Sequence, residues 1–110
     1  MAASKKIIIA EDHRLFREGL KALLADNQEF DIVGEAQDGL EAISCAREYK
    51  ADLLILDLSM PKLGGISAIR EIKREFPEIK ILVLTIHQSD QYVLETFEAG
   101  ADGYCLKDAV

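Results

Sequence analysis

The sequence predicts an α/β domain built on one open, five-stranded parallel sheet with helices on both faces. Five short apolar runs punctuate the 110 residues, and the segments between them carry apolar side chains at helical spacing. Alternation of strand and helix implies βαβ units. Runs such as Leu53-Leu54-Ile55-Leu56 also lack polar alternation, which suits strands covered on both faces.

In order, the first strand spans Lys6 to Ala10, and a helix follows with Phe16, Leu20, Leu23 and Leu24 on one face. The second strand, Asp31 to Ala36, leads through Asp38-Gly39 into a helix carrying Leu40, Ala42, Ile43, Ala46 and Tyr49. The third strand, Leu53 to Leu56, is followed by a Pro61–Gly65 turn and a helix with Ile66, Ile69, Ile72 and Phe76 in register, closed at Phe76-Pro77. Gly64-Gly65 is read as supplying turn conformations before that helix. The fourth strand, Ile79 to Leu84, precedes a helix opened by Ser89-Asp90, stopped at Gly100, and expected to bury Val93, Leu94 and Phe97. The fifth strand runs from Gly103 to Leu106, after which Lys107-Asp108-Ala109-Val110 can at most begin a fifth helix. The sequence therefore reads as a piece of a longer protein, its final helix missing and an apolar stripe uncovered.

Composition narrows the function. A chain of this length makes one domain with a radius of gyration near ~13 Å. Thirteen basic against 20 acidic residues, a net charge of −7, disfavours direct binding to a nucleic-acid backbone. No apolar run approaches the ~20 residues of a membrane span, and Met1-Ala2-Ala3-Ser4-Lys5-Lys6 is not a signal peptide, so no membrane partner and a cytoplasmic location are expected. Cys45 and Cys105 lack metal or redox spacing and are read as buried thiols.

The chemistry collects at strand ends. Ligands of open α/β sheets bind at the carboxyl ends of the strands. Here the first strand ends in Glu11-Asp12, the third in Asp57, the fourth in Thr85 and the fifth in Lys107. With strand order 2-1-3-4-5, the first and third strands are neighbours about 4.8 Å apart, and Glu11, Asp12 and Asp57 converge. Lys107 stands two strands from Asp57, roughly 10 Å, within reach of its long arm. Crowded carboxylates call for a cation, and a hard ion with oxygen ligands, Mg²⁺, suits them. A carboxylate in such a site can be a nucleophile toward phosphorus, and Asp57, the lone acid ending the central strand, is the best placed. Thr85 and Lys107 can then share the charge of the transferred group.

These residues form a pattern: Ile9-Ala10-Glu11-Asp12-His13, Leu56-Asp57-Leu58-Ser59-Met60-Pro61, Gly64-Gly65, Leu84-Thr85 and Ala101-Asp102-Gly103-Tyr104-Cys105-Leu106-Lys107. The pattern resembles the receiver domain of two-component response regulators, in its NarL/FixJ (LuxR-type) branch. The resemblance implies a flavodoxin-like fold over residues 1–110 and phosphorylation of Asp57 by a sensor histidine kinase. It implies Mg²⁺ held by Glu11, Asp12, Asp57 and the backbone carbonyl of Ser59, with Thr85 and Lys107 on the phosphoryl group. It implies a switch in which Thr85 turns toward the phosphoryl group and Tyr104 fills the vacated space, remodelling the surface around the fourth helix. It also implies a possible homodimer, and DNA binding only through a C-terminal helix-turn-helix domain that this sequence does not contain. Such a domain catalyses only its own phosphorylation and dephosphorylation and is no enzyme toward other substrates. Ile86, where many receivers have a small residue, is expected to slow small phosphodonors, and His87 is a candidate tuner of hydrolysis.

Three other functions fit less well. A flavin or nucleotide binder would put Gly, Ser or Thr where Glu11-Asp12 stands. A phosphatase of the haloacid-dehalogenase type would put a second acid at Ser59 and would need a cap. A phosphorylation-independent interaction module would not require the intact site. Individual residues also have plainer readings: Asp12 as a helix cap, His13 as a neighbour of the acidic site, and the Arg70, Glu71, Lys73, Arg74 and Glu75 set as a solvated helix face.

Overall fold

The computed structural model describes residues 4–60, 62–87 and 89–107. Met1-Ala2-Ala3, Pro61 of the strand-end motif, and Asp108-Ala109-Val110, expected to begin a fifth helix, lie outside the described residues. The chain runs β1 (Lys5–Ala10), α1 (Arg14–Ala25), β2 (Phe30–Ala36), α2 (Gly39–Glu48), β3 (Leu53–Leu56), α3 (Gly65–Glu75), β4 (Lys80–Thr85), α4 (Asp90–Ala99) and β5 (Gly103–Leu106). All neighbours in the sheet are parallel, in the expected order β2-β1-β3-β4-β5. The Cα radius of gyration is 13.0 Å. No helix among the described residues is long and apolar enough to cross a membrane.

The period-two rule of strands divides the core. Ile8, Ala10, Leu54, Leu56, Ile81 and Val83 face one side and pack with Ala42, Ile43 and Ala46 of α2, Ala68, Ile69 and Ile72 of α3, and Ala99 of α4. Ile7, Ile9, Ile55 and Leu84 face the other, against Phe16, Leu20 and Leu24 of α1. On that side, where α1 is the one helix among the described residues, Leu53, Leu82 and Cys105 are only half-buried. Burial of this kind contributes about 25 cal/mol per Å² of apolar surface.

Four details depart from the helical spacing. Leu23 (65% exposed) and Leu40 (55%) point to solvent, each lying just off the stripe that meets the sheet. α4 buries Thr96 and Ala99, with Val93 half-buried, while Leu94 and Phe97 stay exposed. Its inward row is thus the i, i+3 series 93-96-99, and the Thr96 hydroxyl meets the cost of burial by donating to the Tyr92 carbonyl at 2.6 Å. Cys45 and Cys105 are half-buried and not buried, on opposite sides of the sheet. Burial pushes the Cys45 thiol pKa up, which keeps it protonated.

Candidate functional site

The sheet delivers its strand ends to one rim. The Glu11 amide donates to the Ala36 carbonyl at 2.9 Å, and the Asp57 amide to the Ala10 carbonyl at 3.0 Å, so both residues extend the sheet ladder by one step. Side chains there are fixed by backbone pairing and not by loop conformation. One carboxylate oxygen from each of Glu11, Asp12 and Asp57 lies within 4.8 Å of the others. Glu11 and Asp57 are buried, while Asp12 faces solvent.

Asp12 does not cap α1: the N-cap position is His13, with no side-chain hydrogen bond, so the Asp12 carboxylate is not engaged in capping. The His13 amide donates to Glu11 Oε2 at 3.0 Å, and the Ser59 amide to Asp57 Oδ1 at 3.3 Å. Lys107 reaches across from β5 as expected. Its Nζ stands 2.6 Å from Glu11 Oε1, 3.5 Å from Asp57 Oδ2 and 4.4 Å from the centre of the Phe16 ring.

Burial pushes the Glu11 carboxyl above the usual carboxylate range, and the Asp57 charge adds to this, while Lys107 and the His13 amide pull it back. For Lys107, burial favours the neutral amine, but Glu11 and Asp57 outweigh it and hold the ammonium pKa above its ordinary value. Lys107 therefore does not fully offset the burial of Glu11 beside Asp57. An all-oxygen donor set that mixes buried and solvated carboxylates fits Mg²⁺, which keeps several waters.

The other expected residues ring this cluster. Thr85 is fully buried, and its Oγ1 accepts from the His87 amide at 3.4 Å. Ile86 is 67% exposed. The His87 ring makes contacts that sequence does not suggest: Nε2 lies 2.5 Å from Ser59 Oγ, and the ring stacks on Tyr92 of α4 with centroids 4.4 Å apart. Tyr104 is half-buried near Phe97, and its hydroxyl donates to the His87 carbonyl at 2.7 Å. The loop after β4 is thus tied to the loop after β3, to α4 and to β5.

Gly64 and Gly65 do not supply turn conformations. Gly64 is the N-cap of α3 in ordinary extended geometry, φ −66° and ψ 159°. Gly65 is required by proximity: an added Cβ would stand 2.6 Å from Leu58 Cα and 2.9 Å from the Asp57 carbonyl oxygen. The left-handed conformations fall instead at Gly100 (φ 121°), which ends α4, and at Lys62 (φ 65°) in the loop after β3.

Asp102, part of the fifth-strand motif, is a brace and lies away from the rim. Its Oδ2 accepts from the Ile81 amide at 2.9 Å and pairs with Lys73 at 2.8 Å, joining the start of β5 to β4 and α3.

Comparison with known proteins agrees with this geometry. Residues 7–109 match the family described as response regulator receiver domain. The transcriptional regulatory protein DegU of Brevibacillus brevis is 41% identical over 94% of this chain and 44% of its own length. VraR of Staphylococcus aureus is 38% identical over 93% of this chain and 49% of its own. The chain spans about half the length of the curated relatives it matches. Among solved structures, a LuxR-family two-component response regulator from Aurantimonas sp. SI85-9A1 superimposes with a TM-score of 0.90 at 37% identity, covering 96% of this chain and 75% of that one. The isolated receiver domain of RcsB from Salmonella enterica serovar Typhimurium, solved in the presence of the phosphomimetic BeF₃⁻, gives 0.90 at 32% identity, covering 97% and 80%.

Proposed function

The chain belongs to the response regulator receiver domain family of two-component systems, and on that premise we propose that it accepts a phosphoryl group on Asp57 from the phosphohistidine of a sensor histidine kinase, with Mg²⁺, and signals by changing its own surface. The observation that carries this reading is the convergence of the Glu11, Asp12 and Asp57 carboxylates with the Lys107 ammonium.

In the transfer, an Asp57 carboxylate oxygen attacks phosphorus. A P–O bond forms as the P–N bond breaks, and the departing imidazole nitrogen keeps the electron pair. Mg²⁺ would be held by Glu11, Asp12, Asp57 and the Ser59 carbonyl, where it would supply charge neutralisation for the crowded acids and the phosphoryl group. Lys107 stands where it can exchange a carboxylate contact for a phosphoryl oxygen, and the Ser59 amide steadies Asp57 at 3.3 Å. Hydrolysis reverses the state: water attacks phosphorus, the P–O bond to Asp57 breaks, and inorganic phosphate leaves. The domain acts on itself alone in both steps and is not an enzyme toward other substrates.

The switch that the family resemblance implies would act on the hydrogen bonds of the loop after β4. The Thr85 hydroxyl trades the His87 amide for a phosphoryl oxygen, and Tyr104 gives up the His87 carbonyl to move into the vacated space. Both changes pull on the same residue, His87, which α4 holds through Tyr92. Output then passes, in the cytoplasm, to a C-terminal helix-turn-helix domain and through a homodimer. Support comes from curated relatives about twice as long, and from two structural neighbours, a LuxR-family DNA-binding response regulator of Staphylococcus aureus and an RcsB structure bound to promoter rprA in the presence of BeF₃⁻.

The test is intact mass after incubation with an acyl-phosphate donor, with and without Mg²⁺, beside Asp57→Asn, with folding checked by circular dichroism. The expected result is one phosphoryl group on the wild type only, dependent on Mg²⁺ and released by hydroxylamine. If the folded wild type gains nothing from the small donor or from a histidine kinase, the reading is wrong.

A further inference from the structure

Among the described residues, the buried polar and charged side chains include one basic group, and it lies outside the proposed transfer chemistry. Arg17 sits on the first turns of α1. Its side chain is 10% exposed. Nη1 donates to the backbone carbonyl of Glu11 at 2.7 Å, a buried bond, and Nε donates to Glu35 Oε1 of β2 at 3.1 Å. Glu35 is also paired with Lys21 at 3.0 Å, one turn further along α1. The guanidinium therefore joins α1 to β2 and to the peptide that links Glu11 to Asp12. That peptide carries the two carboxylates the first strand brings to the site.

We infer that Arg17 is the positioning residue of the acidic site: by pinning the Glu11 carbonyl it holds the Glu11 and Asp12 carboxylates in their approach to Asp57, and so sets the affinity for the divalent cation. This rests on the cation reading given above. Glu11 has two backbone anchors, its amide on Ala36 and its carbonyl on Arg17. With the second removed, the Glu11-Asp12 peptide can rotate and take both side chains with it. Only arginine suits the place, because one planar fork must reach a carbonyl and a carboxylate at once, and a lysine ammonium has a single nitrogen to share. Partners that orient metal-holding groups typically govern affinity by 10- to 100-fold.

Charge and geometry make opposite demands here, which gives the test its edge. Arg17 is a cation behind a cation site, so a purely electrostatic role would weaken Mg²⁺ binding, and its removal would tighten it. A positioning role predicts the reverse. Mg²⁺ is titrated into wild type, Arg17→Met, Arg17→Lys and Glu35→Gln, well below each melting temperature. Binding is followed by calorimetry and by the backbone amide resonances of Glu11, Asp12 and Asp57. Arg17→Lys keeps the charge and serves if Arg17→Met does not fold. Glu35→Gln keeps an acceptor for Nε and removes the ion pairs with Arg17 and Lys21.

The expected result is at least about tenfold weaker Mg²⁺ binding in both Arg17 variants, with displaced Asp12 and Glu11 amide signals before any metal is added. Glu35→Gln should stay within about twofold of wild type in Mg²⁺ affinity while losing stability at neutral pH, a loss that closes as pH falls through the lowered Glu35 pKa. Unchanged or tighter binding in the Arg17 variants overturns the inference and leaves Arg17 a structural ion-pair member. A folded wild type that binds no Mg²⁺ overturns the cation reading itself, and this one with it.

Discussion

Replacing Gly65 with alanine tests whether the position of the Asp57 loop is set by contact with α3. The added Cβ would stand 2.6 Å from Leu58 Cα, 2.9 Å from the Asp57 carbonyl oxygen and 3.1 Å from Leu56 Cδ2. Carbon atoms rest at about 3.5–4.0 Å, so the first turn of α3 or the loop must retreat by roughly 1 Å. Two of the three obstacles are backbone and have no rotamer to adopt. Overpacking of this kind costs about 1–3 kcal/mol, and alanine returns up to about 1 kcal/mol of helix propensity, which leaves a net loss of about 1–2 kcal/mol. For a 110-residue chain, unfolding entropy converts that to a melting temperature lower by about 4–9 °C. The matched control is Gly64→Ser. Gly64 has open space where a Cβ would go and caps α3 without a side chain, so serine should leave stability unchanged or raise it by about a few tenths of a kcal/mol. Circular dichroism melts give the stability arm. Mg²⁺-dependent phosphorylation at 25 °C, read by intact mass, gives the functional arm, in which a shift near 1 Å costs Gly65→Ala about tenfold or more in rate. Gly65→Ala that melts and phosphorylates like wild type would refute the argument, as would equal responses from both variants.

Other perturbations address the remaining parts of the site. Mg²⁺ at ten times its dissociation constant should stabilise the wild type by about 1.4 kcal/mol, a gain near 6 °C, and Asp57→Asn should lose most of that gain in the same melts. For Asp102, burial alone would raise the carboxyl pKa, but Lys73 and the Ile81 amide outweigh it and leave the group below the usual carboxylate range. Its contribution to stability is therefore present above about pH 4 and is lost as pH falls through the lowered pKa, so the gap between wild type and Asp102→Asn should be full at pH 7 and close below about pH 4 in urea titrations. An aromatic stack contributes about 0.5–1.5 kcal/mol. Tyr92→Ala should free the His87 ring from its place against Ser59, admit water, and shorten the phosphoprotein lifetime by about two- to tenfold. A lifetime equal to wild type would mean that the stack does not guard the site.

The strands were legible because the signal is local. Five apolar runs match β1, β2, β3, β4 and β5 to within a residue, since a strand buried on both faces cannot hide its composition. The charged rim was legible for the same reason: Glu11, Asp12, Asp57, Thr85 and Lys107 follow directly on those runs, and parallel strands end on one side. Helix faces were less legible. Hydrophobicity selects Leu94 and Phe97 over Thr96, but burial on a short helix goes to what fits between α3 and the sheet, and a threonine that bonds its own helix fits. Gly65 was seen, but its reason was not, because proximity to Leu58 and Asp57 is a property of packing and not of φ.

The supports behind the rim depend on a shift that sequence does not announce. β1 and β2 pair Ile7 with Ile32, then Ile8 with Gly34, so Val33 is an extra residue. Ile32 packs on the α1 side, Val33 packs on the α2 side, and a Cβ on Gly34 would meet Tyr49 and Cys45, also on the α2 side. Two successive residues thus face the same way, and the alternation restarts with opposite phase. Without the bulge, Glu35 would fall on the α2 face. With it, Glu35 meets Arg17 and Lys21 of α1 at 3.1 and 3.0 Å. That pairing draws the guanidinium in beside the Glu11 carbonyl, while the same register brings Ala36 level with the Glu11 amide. One extra residue in the edge strand therefore determines how both backbone anchors of Glu11 are made. A deletion of Val33 would keep every charged residue of the rim and still move two of its three carboxylates.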